Sequence, residues 1–283
     1  MSKTITAIAV LRLLQDTGIG LNAAVWPYLP SDWELGNNFE GVRFRHLLSH
    51  TSGMTGVFSD ALTDEEAKLA VVLGAAPGAA PAYRNINFTL FRYIIPKLWA
   101  AAELPHAHAD NNVAASFFYA VYIIERIFSQ MGGAIGENAS TSPLEPIPTR
   151  YYPSAGATQG MDFPNFAPLA GAAGWFMTAR ELAAIMAFLT YTENLIDDPT
   201  RTVMDAFRLG WREPGFYQGA FGDYLGQGGF IRWTNNGVQG RVRAAVMKFG
   251  VQVEAALVAN SEISGLSGSA GNILVSAYDA AWS

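Results

Sequence analysis

The chain of 283 residues contains no cysteine. Disulfide bonds, thiolate zinc sites and cysteine nucleophiles are therefore excluded. Charged residues are scarce, at 15% of the chain, and 24 acidic side chains outnumber 18 basic ones, which gives a net charge of -6. A chain with so few basic residues lacks the positive surface that nucleic-acid binding needs. We therefore expect no nucleic-acid partner.

Long apolar runs are also missing. The nearest one, Leu69 to Tyr83, is interrupted by two glycines and two prolines, so the sequence predicts no membrane span. Met1 leads directly into an apolar-periodic segment without a cleavable signal peptide. As it stands, the chain is expected in the cytoplasm, whereas a leader in a longer polypeptide would direct it to the periplasm or outside the cell. Hydrophobic residues make up 50% of the chain, which indicates a large buried core and excludes disorder.

Local patterns divide the chain into a mostly helical part followed by strands. A first helix is predicted to end near Gly18, and capping boxes at Thr63 and Thr178 begin two later helices. The tail changes to the two-residue period of strands. We expect one α+β domain over residues 1–283, with a helical lobe over about 1–210 and a sheet with a final helix over about 211–283. The other predicted elements are a short helix over 43–50, helices over 85–102 and 113–131, strands over 229–234, 241–249 and 251–259, and a last helix over 271–282.

Three segments carry motifs whose order and spacing agree with one known family. They are the helix start Met1–Ala7, the stretch RHLLSHTSG over Arg45–Gly53, and Tyr83-Arg84-Asn85. Together they resemble the serine β-lactamase and penicillin-binding protein superfamily. The nearest branch is that of class C β-lactamases, D-aminopeptidases and family VIII carboxylesterases. The resemblance implies a β-lactamase/transpeptidase-like fold, with an antiparallel sheet flanked by helices and a helical subdomain, here lacking the N-terminal strands.

The resemblance also implies roles for individual residues. A serine hydroxyl is a poor nucleophile until a neighbouring base removes its proton. A tyrosine phenol, with an ordinary pKa of about 10, becomes a useful base only beside a cation. The matching residues are Lys3 as the motif lysine, Tyr83 as the base, Asn85 as the amide that positions the substrate, Gln227-Gly228-Gly229 as the third motif, and Phe230, whose N–H would help to hold the oxyanion.

The sequence departs from the family pattern at two positions. Gln227 is neutral where the family usually has lysine or histidine, which disfavours carboxylate-bearing β-lactams and favours small esters. In a Ser-x-x-Lys motif that ends at Lys3, the nucleophile falls one position before Met1. We therefore expect an N-terminal truncation just after the nucleophile. Ser2 is next to Lys3, so on a helix its side chain points about 100° away from that of the lysine, which makes it the weaker candidate.

These observations leave two functions open. The first is acyl transfer by a serine hydrolase on a small-molecule ester, amide or β-lactam, without a cofactor. The second is a catalytically inactive remnant of the fold, or a ligand-binding protein. Whether the chain is an enzyme depends on the serine. The missing N-terminal strands would leave a sheet edge unpaired, and we expect dimerisation through that edge.

Two histidine patterns resemble metal sites. His46 and His50 are four residues apart on a predicted helix, a spacing that can bind metal, but the resemblance makes them structural. The segment His106-Ala-His108-Ala-Asp110 matches the start of a metallo-β-lactamase motif, but a zinc hydrolase needs further ligands. We therefore expect no metal. The irregular segment 151–166 would provide a wall for an apolar acyl group.

Overall fold

The computed structural model describes residues 1–54, 63–102, 112–136, 139–141, 149–235, 237–250, 252–263 and 269–283. Helices precede a sheet, and a last helix follows it, as expected for the predicted α+β fold. The helices are α1 Ser2–Thr17, α2 Phe44–Leu48, α3 Asp64–Val72, α4 Ile86–Thr89, α5 Phe91–Ala102, α6 Asn112–Arg126, α7 Ala179–Tyr191, α8 Asp198–Ala206 and α9 Ala270–Trp282. The strands are β1 Gln218–Gly219, β2 Gly222–Asp223, β3 Leu225–Asn235, β4 Val238–Lys248 and β5 Glu254–Ala259.

Helix α1 is buried along most of its length. Its residues are apolar or small around most of its circumference, which is typical of a helix that is buried on all sides. The polar side chains among them bond to backbone carbonyls: the Thr4 hydroxyl donates to Gly210 O at 3.1 Å and the Thr6 hydroxyl to Gly171 O at 2.6 Å. The helix ends as predicted, with Gly18 in the left-handed region at φ 68°. This burial fixes the first turn of α1, where Ser2 and Lys3 lie.

The sheet has the antiparallel order β3-β4-β5. Successive residues of a strand point to opposite faces. Val246 belongs to the main core, whereas its neighbour Met247 packs in a smaller cluster with Val275 of α9. Helix α9 therefore covers one face and the helical part of the chain covers the other. Strand β3 is at the edge of this sheet and borders the site.

Several predicted elements are confirmed and others need correction. Both capping boxes are present, with the Thr63 and Thr178 hydroxyls accepting from the backbone N–H three residues later at 3.2 Å. The predicted helix 85–102 is divided into α4 and α5, which meet at Leu90. Strand β3 begins at Leu225 instead of 229, so Gln227 lies inside it. Helix α8 was not predicted. None of the helices in the described ranges is long and apolar enough to cross a membrane.

Candidate active site

The start of α1, the loop before α4, the segment 169–177 and strand β3 enclose a cavity of about 920 Å³. This volume lies within the range of small-molecule sites. The residues to which the resemblance gives site roles all line it: Ser2, Lys3, Tyr83, Asn85, Gln227, Gly228, Gly229 and Phe230. The fold thus brings together positions from both ends of the chain.

Lys3 is held by two acceptors from distant segments. Its side chain is buried, and Nζ donates to Asn85 Oδ1 at 2.7 Å and to the Ala172 carbonyl at 3.0 Å. Nζ also lies 4.9 Å from the centroid of the Tyr83 ring. The lysine therefore fixes the orientation of the Asn85 amide and places a positive charge beside the Tyr83 phenol.

His50 holds the backbone on both sides of Tyr83. Its carbonyl accepts from the Ala82 N–H at 2.9 Å and its Nδ1 accepts from the Arg84 N–H at 3.3 Å. The two rings are in contact, with centroids 4.6 Å apart. His50 has the left-handed backbone angle φ 58°, which turns both acceptors toward the loop.

The expectation that His46 and His50 share one helix is wrong, because α2 ends at Leu48 and His50 follows it with positive φ. His46 Nδ1 accepts from the Arg43 N–H at 3.1 Å and so helps to begin α2. Each histidine therefore bonds to the backbone of its own surroundings, in agreement with a structural role.

Burial and the charges of Lys3 and Arg212 hold the pKa of His50 well below its ordinary value of 6.5. The imidazole is therefore neutral near pH 7. A neutral imidazole has one nitrogen free to accept, as the bonds to Nδ1 require.

The environment of Tyr83 favours its phenolate. Burial raises the pKa of the Tyr83 phenol, but the charges of Lys3 and Arg212 and a hydrogen bond from Gln227 more than offset this effect. The pKa of Tyr83 therefore lies below its ordinary value of 10.0. Since a base works best when its pKa approaches the working pH, this direction suits proton transfer.

Gln227 and the glycines after it form the part of β3 that faces the cavity. Gln227 is buried, and its Nε2 donates to Tyr83 Oη at 3.3 Å. A Cβ at Gly228 would lie 2.5 Å from Tyr217 Oη, whereas a Cβ at Gly229 would meet nothing within 4 Å. Gly228 therefore permits β3 to pack against Tyr217. Phe230 is half exposed at the cavity.

Arg212 is a site residue that the motifs did not identify. It lies in the loop before β1, its backbone N–H donates to Gly226 O at 2.8 Å, and its side chain lines the cavity. The guanidinium carbon is 4.0 Å from the Tyr83 ring centroid and 3.7 Å from that of Phe216. A single arginine in a loop forms no sequence pattern, so only the fold shows that it reaches Tyr83.

An aromatic cluster forms one wall of the cavity. Phe163 is its centre, with ring centroids of Tyr151, Phe166, Phe176 and Trp233 between 4.5 and 5.0 Å away. All five rings line the cavity. Three of them come from the segment 151–166, which was predicted as an apolar wall. The cavity thus has a charged end at Lys3 and Arg212 and an apolar end at Phe163.

Within the described ranges, no group of three or more histidine, aspartate and glutamate side chains is arranged to hold a metal ion. The motif from His106 to Asp110 lies outside the described residues.

Known proteins resemble the chain both in sequence pattern and in fold. A family model described as Beta-lactamase matches residues 1–244. The chain is similar to a beta-lactamase/D-alanine carboxypeptidase from Yersinia pestis, complexed with citrate, at 16% identity and a TM-score of 0.65, covering 99% of this chain and 81% of that one. It is also similar to a class C beta lactamase from Rhodobacter sphaeroides at 14% identity and a TM-score of 0.63, covering 98% and 82%. No curated protein matches the chain.

The chain has the α+β fold of the β-lactamase/transpeptidase type, as its structural neighbours do. Because the family model covers most of its residues, the chain belongs to the beta-lactamase family.

Proposed function

We propose that the cavity performs acyl transfer through a serine nucleophile and hydrolyses small esters or amides. The observation that carries the proposal is the arrangement of Lys3, Asn85 and Tyr83, which places a buried cation between an amide and a phenol of lowered pKa. Folding alone does not require this combination, because a buried lysine and a half-buried tyrosine are costly to desolvate. The arrangement supports Tyr83 as a base and Lys3 as the charge that activates it.

The nucleophile in this proposal is a serine directly before Met1 in a longer polypeptide, where a Ser-x-x-Lys motif ending at Lys3 requires it. Residues three apart on a helix are neighbours, so this hydroxyl would lie on the face of α1 that carries Lys3. Ser2 also lines the cavity and is the second candidate.

The proposed reaction follows from these positions. The Tyr83 phenolate takes the proton of the serine hydroxyl, and the serine oxygen bonds to the carbonyl carbon of the substrate. The π electrons of that carbonyl move to its oxygen, which becomes the oxyanion. The Phe230 N–H helps to hold that oxyanion. When the oxyanion collapses, the bond to the leaving group breaks, and Tyr83 returns the proton to that group. Water then repeats the two steps on the acyl-enzyme, which releases the acid and the serine.

The substrate class is also part of the proposal. Gln227 places a neutral amide beside Tyr83, which supports an ester more than a β-lactam that carries a carboxylate. The rings around Phe163 support an apolar acyl group. We expect higher kcat/KM on p-nitrophenyl butyrate than on the β-lactam nitrocefin.

A fluorophosphonate probe tests the proposal, because it forms a covalent adduct only with an activated serine. We would measure intact mass for the 283-residue chain, its Ser2→Ala variant, and a polypeptide with a serine directly before Met1, the last with and without Tyr83→Phe. The expected result is an adduct on the added serine, located by peptide mapping, that requires Tyr83. An adduct on Ser2 would identify Ser2 as the nucleophile. No adduct on any of these polypeptides would overturn the proposal and favour the catalytically inactive or ligand-binding alternative.

A further inference from the structure

Arg212 lies between two aromatic rings at the charged end of the cavity. Its guanidinium carbon is 4.0 Å from the Tyr83 ring centroid and 3.7 Å from that of Phe216. Its Nη2 is paired with Glu213 at 2.9 Å. Its Nε is buried, and no residue in the described part of the chain accepts from it. Stacking on the two rings therefore holds the guanidinium plane, and its charge lies next to the phenol.

The groups that face Tyr83 differ in their charge. In the described part of the chain, Lys3 from α1 and Arg212 from the loop before β1 each place a cation over its ring. His50 contacts its ring but is kept neutral, and Gln227 from β3 contributes a hydrogen bond without charge. Tyr217 is a second phenol that interacts with it. Gln227 therefore bonds to Oη without bringing charge, whereas Lys3 and Arg212 bring positive charge to this end of the cavity.

We propose that Arg212 is a positioning residue whose charge, added to that of Lys3, favours ionisation of the Tyr83 phenol. A cation within about 4 to 6 Å favours the charged form of an acid, and partial burial strengthens the interaction because less water screens it. Glu213 opposes this effect, since its carboxylate partly neutralises the guanidinium. Arg212 thereby acts through Tyr83 and needs no contact with the substrate. The inference deepens the proposed function, because it rests on Tyr83 as the base.

The direct test is a spectroscopic titration of Tyr83, which does not require turnover. The absorbance of phenolate is followed against pH, and the curve of the matching Tyr83→Phe variant is subtracted to isolate Tyr83. In Arg212→Met, which keeps a long side chain without charge, the midpoint should rise by about one pH unit or more. In Arg212→Lys, which keeps the charge, it should rise by less than in Arg212→Met. An unchanged midpoint in Arg212→Met would overturn the inference.

A second variant keeps the test open if Arg212→Met fails to fold. Glu213→Gln removes the carboxylate that pairs with the guanidinium and leaves Arg212 in place. The midpoint of Tyr83 should then move to lower pH, and an unchanged or higher midpoint would contradict the inference. If Arg212 were only structural, the Tyr83 midpoint would not rise in Arg212→Met and fall in Glu213→Gln.

The same variants separate this inference from the proposed function. If the Tyr83 midpoint shifts as expected but no polypeptide reacts with the fluorophosphonate, Arg212 acts on Tyr83 and the proposed acyl transfer fails. If the polypeptides react and the midpoint does not shift, the proposed function stands and the role of Arg212 fails. In an active polypeptide, the alkaline shift in Arg212→Met should also move the rising limb of the kcat profile to higher pH.

Discussion

His50 bonds to the backbone on both sides of Tyr83, through its carbonyl to Ala82 N at 2.9 Å and through Nδ1 to Arg84 N at 3.3 Å. The histidine thus fixes the loop at the two residues that flank the proposed base. His50 makes these bonds with the left-handed backbone angle φ 58°. His50 thereby helps to place the Tyr83 phenol near Lys3, Arg212 and Gln227.

Replacing Tyr83 by phenylalanine should remove the base and leave the fold intact. The ring still packs on His50, so the melting temperature should stay close to that of the wild type. General bases contribute about 10² to 10⁴ in rate, and we expect kcat on a p-nitrophenyl ester to fall by at least about 100-fold. The measurement uses the polypeptide that carries the proposed serine. Turnover within a few-fold of the wild type would exclude Tyr83 as the base.

Two substitutions at His50 distinguish the hydrogen-bond acceptor of its side chain from the packing of its ring. Both remove the ring, but only one keeps an acceptor. Asparagine tolerates positive φ and offers a side-chain oxygen as acceptor, whereas alanine at φ 58° offers neither advantage. His50 Nδ1 also lies 3.1 Å from the amide nitrogen of the buried Asn87. Leaving a buried donor without its acceptor costs about 1–3 kcal/mol, so His50→Ala should lose about that much free energy of unfolding in urea. His50→Asn should lose less and should retain more turnover. Equal losses in both variants would show that the acceptor does not matter.

The stability of the protein should depend on pH through His50. Its pKa in the folded chain lies well below 6.5, whereas in the unfolded chain it returns to its ordinary value. Below that value the unfolded chain binds a proton that the folded chain excludes, so the free energy of unfolding falls as the pH drops. Urea unfolding from about pH 7.5 to about pH 5 measures this, with His50→Asn as the control. If both proteins lose stability equally, His50 is not the group that titrates.

The two glycines of the third motif should respond differently to alanine. A Cβ at Gly228 meets Tyr217 Oη at 2.5 Å, whereas one at Gly229 has open space. Overpacking of this kind costs about 1–3 kcal/mol, and an unobstructed substitution about 0.5 kcal/mol or less. Thermal unfolding should therefore show a clear loss for Gly228→Ala and little change for Gly229→Ala. The same melting temperature in both would mean that Tyr217 moves away without cost.

The sheet edge leads to a prediction about assembly. β5 is the outer strand of the order β3-β4-β5, and no strand in the described part of the chain pairs with its second edge. An unpaired edge offers backbone donors and acceptors to another chain. Sedimentation velocity should show a dimer that increases with protein concentration. A strictly monomeric profile at high concentration would contradict this prediction.

The sequence named those residues of the candidate site that belong to motifs, and their catalytic roles stay predictions. The family resemblance implied Lys3, Tyr83, Asn85 and Gln227 as site residues, and all four line the cavity. Arg212 was not identified, because its position depends on how the loop before β1 folds back toward Tyr83.

Two elements show why local patterns were incomplete. β3 was predicted too short because its glycines weaken the strand pattern, yet pairing with β4 extends from Leu225 opposite Lys248. Helix α8 carried readable signals, an Asp197 cap and Pro199 in its first turn.

The contacts that build the charged end of the cavity join remote parts of the chain. Lys3 reaches Asn85 across 82 residues and Ala172 across 169, and Gln227 reaches Tyr83 across 144. Contacts between distant residues form late, because the entropy of closing long loops must be overcome first. A partly folded chain would therefore contain helices before it contains a site. Refolding followed by circular dichroism and by ligand binding should show the helical signal returning first.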